Sequence, residues 1–450
     1  MDYDVIILGG GPGGYVAAER TAARGHKTLL VEERELGGVC LNEGCIPTKT
    51  LLNSAKLYAH GLEAEQFGVS FDNPRFDLSA AMKWKEKVIG TLVKGVAYQM
   101  KRHGVEVVKG RGTLVDGKTV DVGGTRYSAK NIIIATGSSS MVPPIPGADG
   151  DKVMTSREVL RIESMPERVA VIGGGVIGME FASFFSSFGK EVHVVEMLDE
   201  ILPTMDGELS KLMRREMGKG PAGSVEFHLE SKVVSLDGGR VTYETGGERQ
   251  SLEADIVLIS VGRKPNVENN GFEEVGLDYT PKGIKVDEQM RTNLPGVYAI
   301  GDVTGRSLLA HSASRMGEVA AAVISGDDDR MRYHAIPWVV YTRPEIAGVG
   351  LTEAEAEAKG IAVRSASLPM KVSGRFLAEN GSKAGGICKV VTAAETGVLL
   401  GVHLLGGVSS EIIYGASAMI EAELRVKDIR EVIFPHPTVA EIIKDTLWEL

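Results

Sequence analysis

Two stretches of the chain share one succession of apolar and polar positions. DVIILGGGPGG (4–14) and RVAVIGGGVIG (168–178) each run a short apolar segment into a glycine cluster. An unbroken apolar run of that length, closed by turn residues, predicts a strand buried on both faces. Helical spacing follows in YVAAERTAARG (15–25) and MEFASFFSSFG (179–189). A second strand is then predicted in KTLLVEE (27–33) and EVHVVEM (191–197). Further glycine-stopped strands are expected in NIIIATGSSS (131–140), DIVLISVGRKPN (255–266) and GVYAIGD (296–302).

The later part of the chain changes character. AHSASRMGEVAAAVISG (310–326) has helical spacing, and from YHAIPWVVYTRPEIAGVG (333–350) onward strands mix with helices such as TEAEAEAKG (352–360). MVPPIPGADG (141–150) reads as a Pro/Gly linker. The expected fold is α/β, with two Rossmann-like dinucleotide-binding domains and a C-terminal α+β domain. The expected boundaries are 1–140, 141–264, a central 265–332 and a last domain of 333–450.

The glycines carry the first chemistry. Gly9, Gly11 and Gly14 form GxGxxG, as do Gly173, Gly175 and Gly178, and the step from first glycine to acid is the same from Gly9 to Glu32 and from Gly173 to Glu196. A lone GxGxxG is weak evidence, but strand, glycines, helix, strand and acid in register are strong evidence for a dinucleotide. The glycines permit the turn and the approach of backbone to pyrophosphate. The helix N-terminus supplies N–H groups, and the acid accepts from a ribose hydroxyl. Met197 and Leu198 follow Glu196 with no arginine close behind, which favours NAD over NADP; His193 is a poor substitute for an arginine.

Composition narrows the class. The chain has 450 residues, a net charge of −10 and no basic block, which makes nucleic acid and anionic membrane poor candidates as partners. No apolar run is long enough for a spanning helix. The start MDYDVIILGGG lacks a basic n-region, so a cytoplasmic protein is expected.

Three cysteines argue against a disulfide scaffold. Cys40 and Cys45 lie in GGVCLNEGCIPTK (37–49). Zinc is disfavoured, because Cys388 stands alone in GICKVV and the nine histidines are scattered, so no metal site is expected. Five residues of regular helix rise about 7.5 Å, too far for bonded cysteines, so a Cys40–Cys45 bond requires a departure from helix that Gly44 allows. So short a loop makes a poor staple, which favours a reactive disulfide beside a redox cofactor. In FPHPTVAEII (434–443), Pro437 suits the first turn of a helix, placing His436 near the cap with Glu441 able to fix its tautomer. On these residues alone, a surface histidine in a Pro-rich turn is the better reading.

The glycine-rich start, GGVCLNEGCIPTK, ATG, the second GxGxxG, GVYAIGD and HPTVAE occur in one order over essentially the whole chain. Together they resemble the FAD-dependent pyridine nucleotide-disulfide oxidoreductases, and within them most the dihydrolipoamide-oxidising branch. The resemblance implies FAD at Gly9, Gly11, Gly14 and Glu32, with Lys49 near the flavin, Ala135, Thr136 and Gly137 of ATG, and Gly301 and Asp302. It implies NAD at Gly173, Gly175, Gly178, Glu180, Glu196 and Gly262, and a pairing of Lys49 with Glu180. Cys45 would be the sulfur nearest the flavin, Cys40 the interchange thiol, His436 the acid–base and Glu441 its orienting carboxylate. A homodimer with a shared active site follows, the last domain serving dimerisation, and the partner would be the dihydrolipoyl domain of a 2-oxoacid dehydrogenase or glycine-cleavage component.

Other branches fit less well. Glutathione-type reductases carry arginines after the second acid and a tyrosine where this chain has Val176, and mercuric reductases add a C-terminal cysteine pair absent here. Soluble transhydrogenases lack the cysteine pair. A mainly structural subunit of a multienzyme complex is the alternative from another class. Pro435 departs from the small residue many relatives have before the histidine.

Overall fold

In the computed structural model, which describes residues 1–219 and 223–450, the strand Tyr3–Leu8 runs parallel between Thr28–Glu32 and Thr125–Ile134. Glu106–Lys109 extends the sheet on one side. On the other, Val297–Ala299 pairs parallel with Thr125–Ile134, and an antiparallel ribbon of Gly112–Asp116 and Thr119–Val122 completes it. Val5, Ile6, Ile7, Ile132, Ile133 and Ile134 are fully buried, as expected for a parallel sheet covered on both faces. Helix Pro12–Ala23 packs closely on helix Ala310–Ile324, because a Cβ at Gly317 would stand 2.7 Å from the Gly13 carbonyl oxygen. These elements belong to one compact unit, residues 1–50, 79–141 and 262–332.

The second unit holds residues 51–78, 142–261 and 333–450. Its parallel sheet runs in the order Val225–His228, Glu191–Val195, Arg168–Ile172, Ile256–Ile259, Val153–Met154. A three-stranded antiparallel sheet, Ser231–Asp237, Arg240–Thr245 and Glu248–Glu253, follows the first of these strands. The C-terminal part is an antiparallel sheet in the order Trp338–Val340, Ile346–Gly350, Leu399–Leu405, Ile387–Ala393, Val363–Pro369. Helices Ser409–Glu421 and Glu441–Trp448 add Ile413, Ile420, Ile442 and Leu447 to its core, where Cys388 is fully buried. The expected α/β class with a C-terminal α+β region is what folds.

Helix Glu353–Ala358 begins where TEAEAEAKG predicts, with Thr352 and Glu355 forming a capping box. One expectation fails. Pro437 does not start a helix: the last helix begins at Glu441, and residues 434–440 form a turn. Its shape is held by Thr438, whose hydroxyl donates to the Pro435 carbonyl at 2.8 Å and whose N–H donates to Glu441 at 2.8 Å. Both the N–H and the hydroxyl of Thr438 are thereby tied into a turn that precedes the helix.

Candidate functional site

Both glycine loops follow one plan. Gly9 and Gly173 have φ of +109° and +103°, and a Cβ there would stand 2.2 Å from the Ala135 oxygen or 2.7 Å from the Ser260 oxygen. A Cβ at Gly14 or Gly178 would stand 1.8 or 2.2 Å from the oxygen of the first glycine of its loop. Fold packing therefore demands the outer glycines. The middle glycines differ. Gly11 and Gly175 have φ of −73° and −77°, open to any residue, and a Cβ there would meet nothing nearer than 3.9 or 4.0 Å. The protein itself leaves this space clear. Each of these glycines caps a helix, Pro12–Ala23 or Val176–Ser186, with no side chain bound to the first-turn N–H groups. Clear space over free donors at a positive helix end is what a pyrophosphate requires, so the residues fit dinucleotides at both loops.

The two acids hold these loops in the same way. Glu32 Oε2 accepts from Gly10 N–H at 2.6 Å and Oε1 from Arg34 N–H at 2.7 Å. Glu196 Oε2 accepts from Gly174 N–H at 2.6 Å and Oε1 from Leu198 N–H at 2.8 Å. Each carboxylate is thus oriented by backbone, with lone pairs left for a ribose hydroxyl.

In the first unit, Asp302 Oδ2 accepts from Ser138 Oγ at 2.5 Å, and Arg263 donates to Ser138 Oγ at 2.8 Å and to its carbonyl at 2.7 Å. Burial raises the Asp302 carboxyl above the usual range, partly offset by Ser138 and Arg263. Thr136 and Asn266 exchange hydrogen bonds of 3.0 and 2.8 Å, pinning ATG to the strand pair Ser138–Ser140 and Arg263–Pro265. Gly137 and Gly301 take positive φ at the turns on either side of this arrangement. Gly262, also at positive φ, lies in this unit, with its carbonyl bonded to Met141 N–H. Ser138, Arg263 and Asn266 were not legible as site residues, because their partners stand more than a hundred positions away.

The cysteine segment departs from helix where the spacing requires. Helix Gly38–Glu43 stops at Gly44, whose φ and ψ are −145° and −104°, and helix Cys45–Glu63 starts at once. This break brings the Cα atoms of Cys40 and Cys45 to 4.6 Å, and the two sulfurs are bonded. Gly37 N–H donates to the Gly10 carbonyl at 2.8 Å, and a Cβ at Gly38 would stand 2.7 Å from Gly11 Cα. The cysteine helix is therefore seated directly on the first glycine loop. Lys49 follows Cys45 by one turn of the same helix.

In the second unit, Glu180 is buried, and its Oε1 accepts from Tyr341 N–H at 3.1 Å. His436 is exposed, with Nδ1 3.0 Å from Glu441 Oε1. The Thr438 N–H and then His436 hold the Glu441 carboxyl below its usual range. An ionised acceptor requires the proton on Nδ1, leaving the Nε2 lone pair as a base.

Residues 3–317 match the pyridine nucleotide-disulphide oxidoreductase family, and residues 336–447 match its dimerisation domain. The chain is 39% identical to dihydrolipoyl dehydrogenase of Bacillus subtilis, covering 98% of this chain and 95% of that one. It is 41% identical to that of Thermus scotoductus, again over 98% and 95%. Among solved structures it resembles LpdA of Mycobacterium tuberculosis, with a TM-score of 0.90 and 25% identity over 99% of each chain.

Proposed function

The chain belongs to the pyridine nucleotide-disulphide oxidoreductase family, and on that premise we propose that it is a dihydrolipoyl dehydrogenase that oxidises dihydrolipoamide and reduces NAD+. The carrying observation is the Cys40–Cys45 bond, closed across the Gly44 break on a helix seated against the first dinucleotide loop. FAD belongs at Gly9, Gly11, Gly14, Glu32 and Asp302, and NAD at Gly173, Gly175, Gly178 and Glu196.

His436 Nε2 takes the proton of one substrate thiol. The thiolate attacks Cys40 Sγ, the Cys40–Cys45 bond breaks, and Cys45 leaves as thiolate. The second substrate thiol displaces Cys40, forming the substrate disulfide, while the proton returns through His436. Glu441 holds the imidazole in the tautomer that does this and stabilises its cationic form. FAD supplies the two-electron carrier between the dithiol and NAD+. Glu196, with both oxygens on backbone N–H groups and no arginine beside it in sequence, suits a ribose 2′-hydroxyl rather than a 2′-phosphate.

The match to the family's dimerisation domain supports a homodimer in which the His436 turn of one subunit serves the disulfide of the other. The natural substrate is then a lipoyl group carried on another protein. Among the described residues no helix is long and apolar enough to cross a membrane. The test is steady-state turnover of free dihydrolipoamide with NAD+. Activity that vanishes in Cys45→Ser supports the reading; a preparation that ignores dihydrolipoamide but reduces a disulfide with NADPH overturns it.

A further inference from the structure

Two neighbouring strands of the second unit's parallel sheet carry the same tripeptide pattern. Glu191-Val192-His193 opens one, and Glu226-Phe227-His228 closes the other. The register pairs His193 with Glu226 and Val195 with His228. Because side chains alternate along a strand, Glu191, His193, Glu226 and His228 emerge on one face. His193 Nδ1 lies 3.1 Å from His228 Nε2, and the Glu226 carboxylate reaches 3.6 Å from the first and 3.7 Å from the second. Both imidazoles are largely covered, while Glu226 is two-thirds exposed.

The hydrogen bonds behind the two rings decide which nitrogens carry protons. His193 Nε2 lies 2.9 Å from Glu191 Oε1, so this nitrogen holds the proton and Nδ1 presents a lone pair. Tyr243 gives its hydroxyl proton to Gln250 Oε1 at 3.1 Å, so its oxygen accepts from His228 Nδ1–H at 3.1 Å. His228 Nε2 then also presents a lone pair. Two lone pairs and a carboxylate thus converge on one point with no proton among them.

We propose that His193 Nδ1, His228 Nε2 and the Glu226 carboxylate form a binding site for a divalent transition-metal ion of the zinc class. Ligand nitrogens about 2.0–2.1 Å from an ion and 3.1 Å apart subtend roughly 100° at the metal, close to tetrahedral, with a fourth position left for water. Two imidazoles and a carboxylate match the ligand preference of zinc. Glu191 and Tyr243 are the outer partners that fix ring orientation and tautomer. Glu226, exposed at the rim, gives an ion its entry. The sequence conceals the site because the two Glu-x-His units lie apart in the chain, and only the strand register joins them.

The experiment is equilibrium dialysis of the untagged, FAD-loaded enzyme against micromolar zinc chloride near pH 7.5. The Cys40–Cys45 bond is kept oxidised so that those sulfurs cannot ligate. One zinc per chain is expected in the parent. Glu226→Ala and His228→Gln should weaken binding by roughly ten-fold or more, and Glu191→Gln by about ten-fold through the outer contact. Zinc should raise the melting temperature of the parent and not of Glu226→Ala. Because Glu226 is exposed, that variant retains the fold even where His228→Gln does not. The proposal is overturned if the oxidised parent takes up no zinc, or if Glu226→Ala takes up zinc as tightly as the parent.

Discussion

Glu441 Oε1 lies 3.0 Å from His436 Nδ1, while Oε2 of the same carboxylate accepts the N–H of Thr438 at 2.8 Å. One side chain therefore fixes both the backbone of the turn and the tautomer of the imidazole. Glu441 is also the first residue of the last helix, where a negative charge is favoured by the helix dipole. The histidine stands exposed on a turn, yet its ring is oriented from behind by a group tied to the C-terminal core.

Removing the base should slow proton transfer more than binding. His436→Gln is expected to lower kcat by roughly 10²–10⁴ with a small change in KM for NAD+. Glu441→Gln should give a smaller loss, because the amide oxygen can still accept from Nδ1. Steady-state kinetics with dihydrolipoamide and NAD+ check both. Equal losses in the two variants would mean that the negative charge on Glu441 matters as much to the proton transfer as the imidazole itself.

The glycine loops separate packing from binding within one motif. Gly175→Ala leaves φ at an ordinary value and meets nothing nearer than 4.0 Å, so stability should change by no more than about 1 kcal/mol. The new methyl group would occupy the space left for the NAD pyrophosphate, so KM for NAD+ should rise sharply with FAD content unchanged. Gly178→Ala, 2.2 Å from the Gly173 oxygen, should fail to fold or melt far lower. Thermal melts and flavin absorbance alongside NAD+ kinetics distinguish the two outcomes.

Much of this arrangement was legible in the sequence because each part is local. Strand, glycines, helix and acid fall within one short stretch, and a Cys40–Cys45 bond at that spacing requires a break that Gly44 provides. What was not legible depends on contacts between distant segments. Arg263 reaches Ser138, and Asn266 reaches Thr136, across chain separations that no periodicity records. The start of the last helix was misplaced because Pro437 is compatible with a first turn, whereas Thr438 closes a different turn with Pro435 and Glu441. His193 and His228 looked scattered until the pairing of their strands brought them to 3.1 Å.

The third cysteine should be chemically silent. Cys388 is fully buried, and burial pushes its thiol up to about 12. Reduction followed by brief alkylation of the native enzyme should label Cys40 and Cys45 and leave Cys388 untouched until denaturant is added. Peptide mass analysis of the labelled chain checks this, and early modification of Cys388 would show that the C-terminal sheet opens in the native state.

A buried histidine in the same sheet should govern stability on the acid side. His403 is 1% exposed; its Nε2–H donates to the Leu351 carbonyl at 3.1 Å, and its Nδ1 has no partner among the described residues. Burial holds its pKa below the ordinary value of about 6.5, because a proton on Nδ1 would place an unmatched charge inside the sheet. The unfolded chain takes up that proton on acidification and the folded chain resists it. The His403 contribution is thus complete above about pH 6.5 and is lost progressively as the pH falls below it. His403→Gln keeps a donor for Leu351 and removes the titration. Its urea midpoint should therefore decline less between pH 7.5 and pH 5.5 than that of the parent. Parallel curves for the two proteins would assign the acid sensitivity to carboxylates instead.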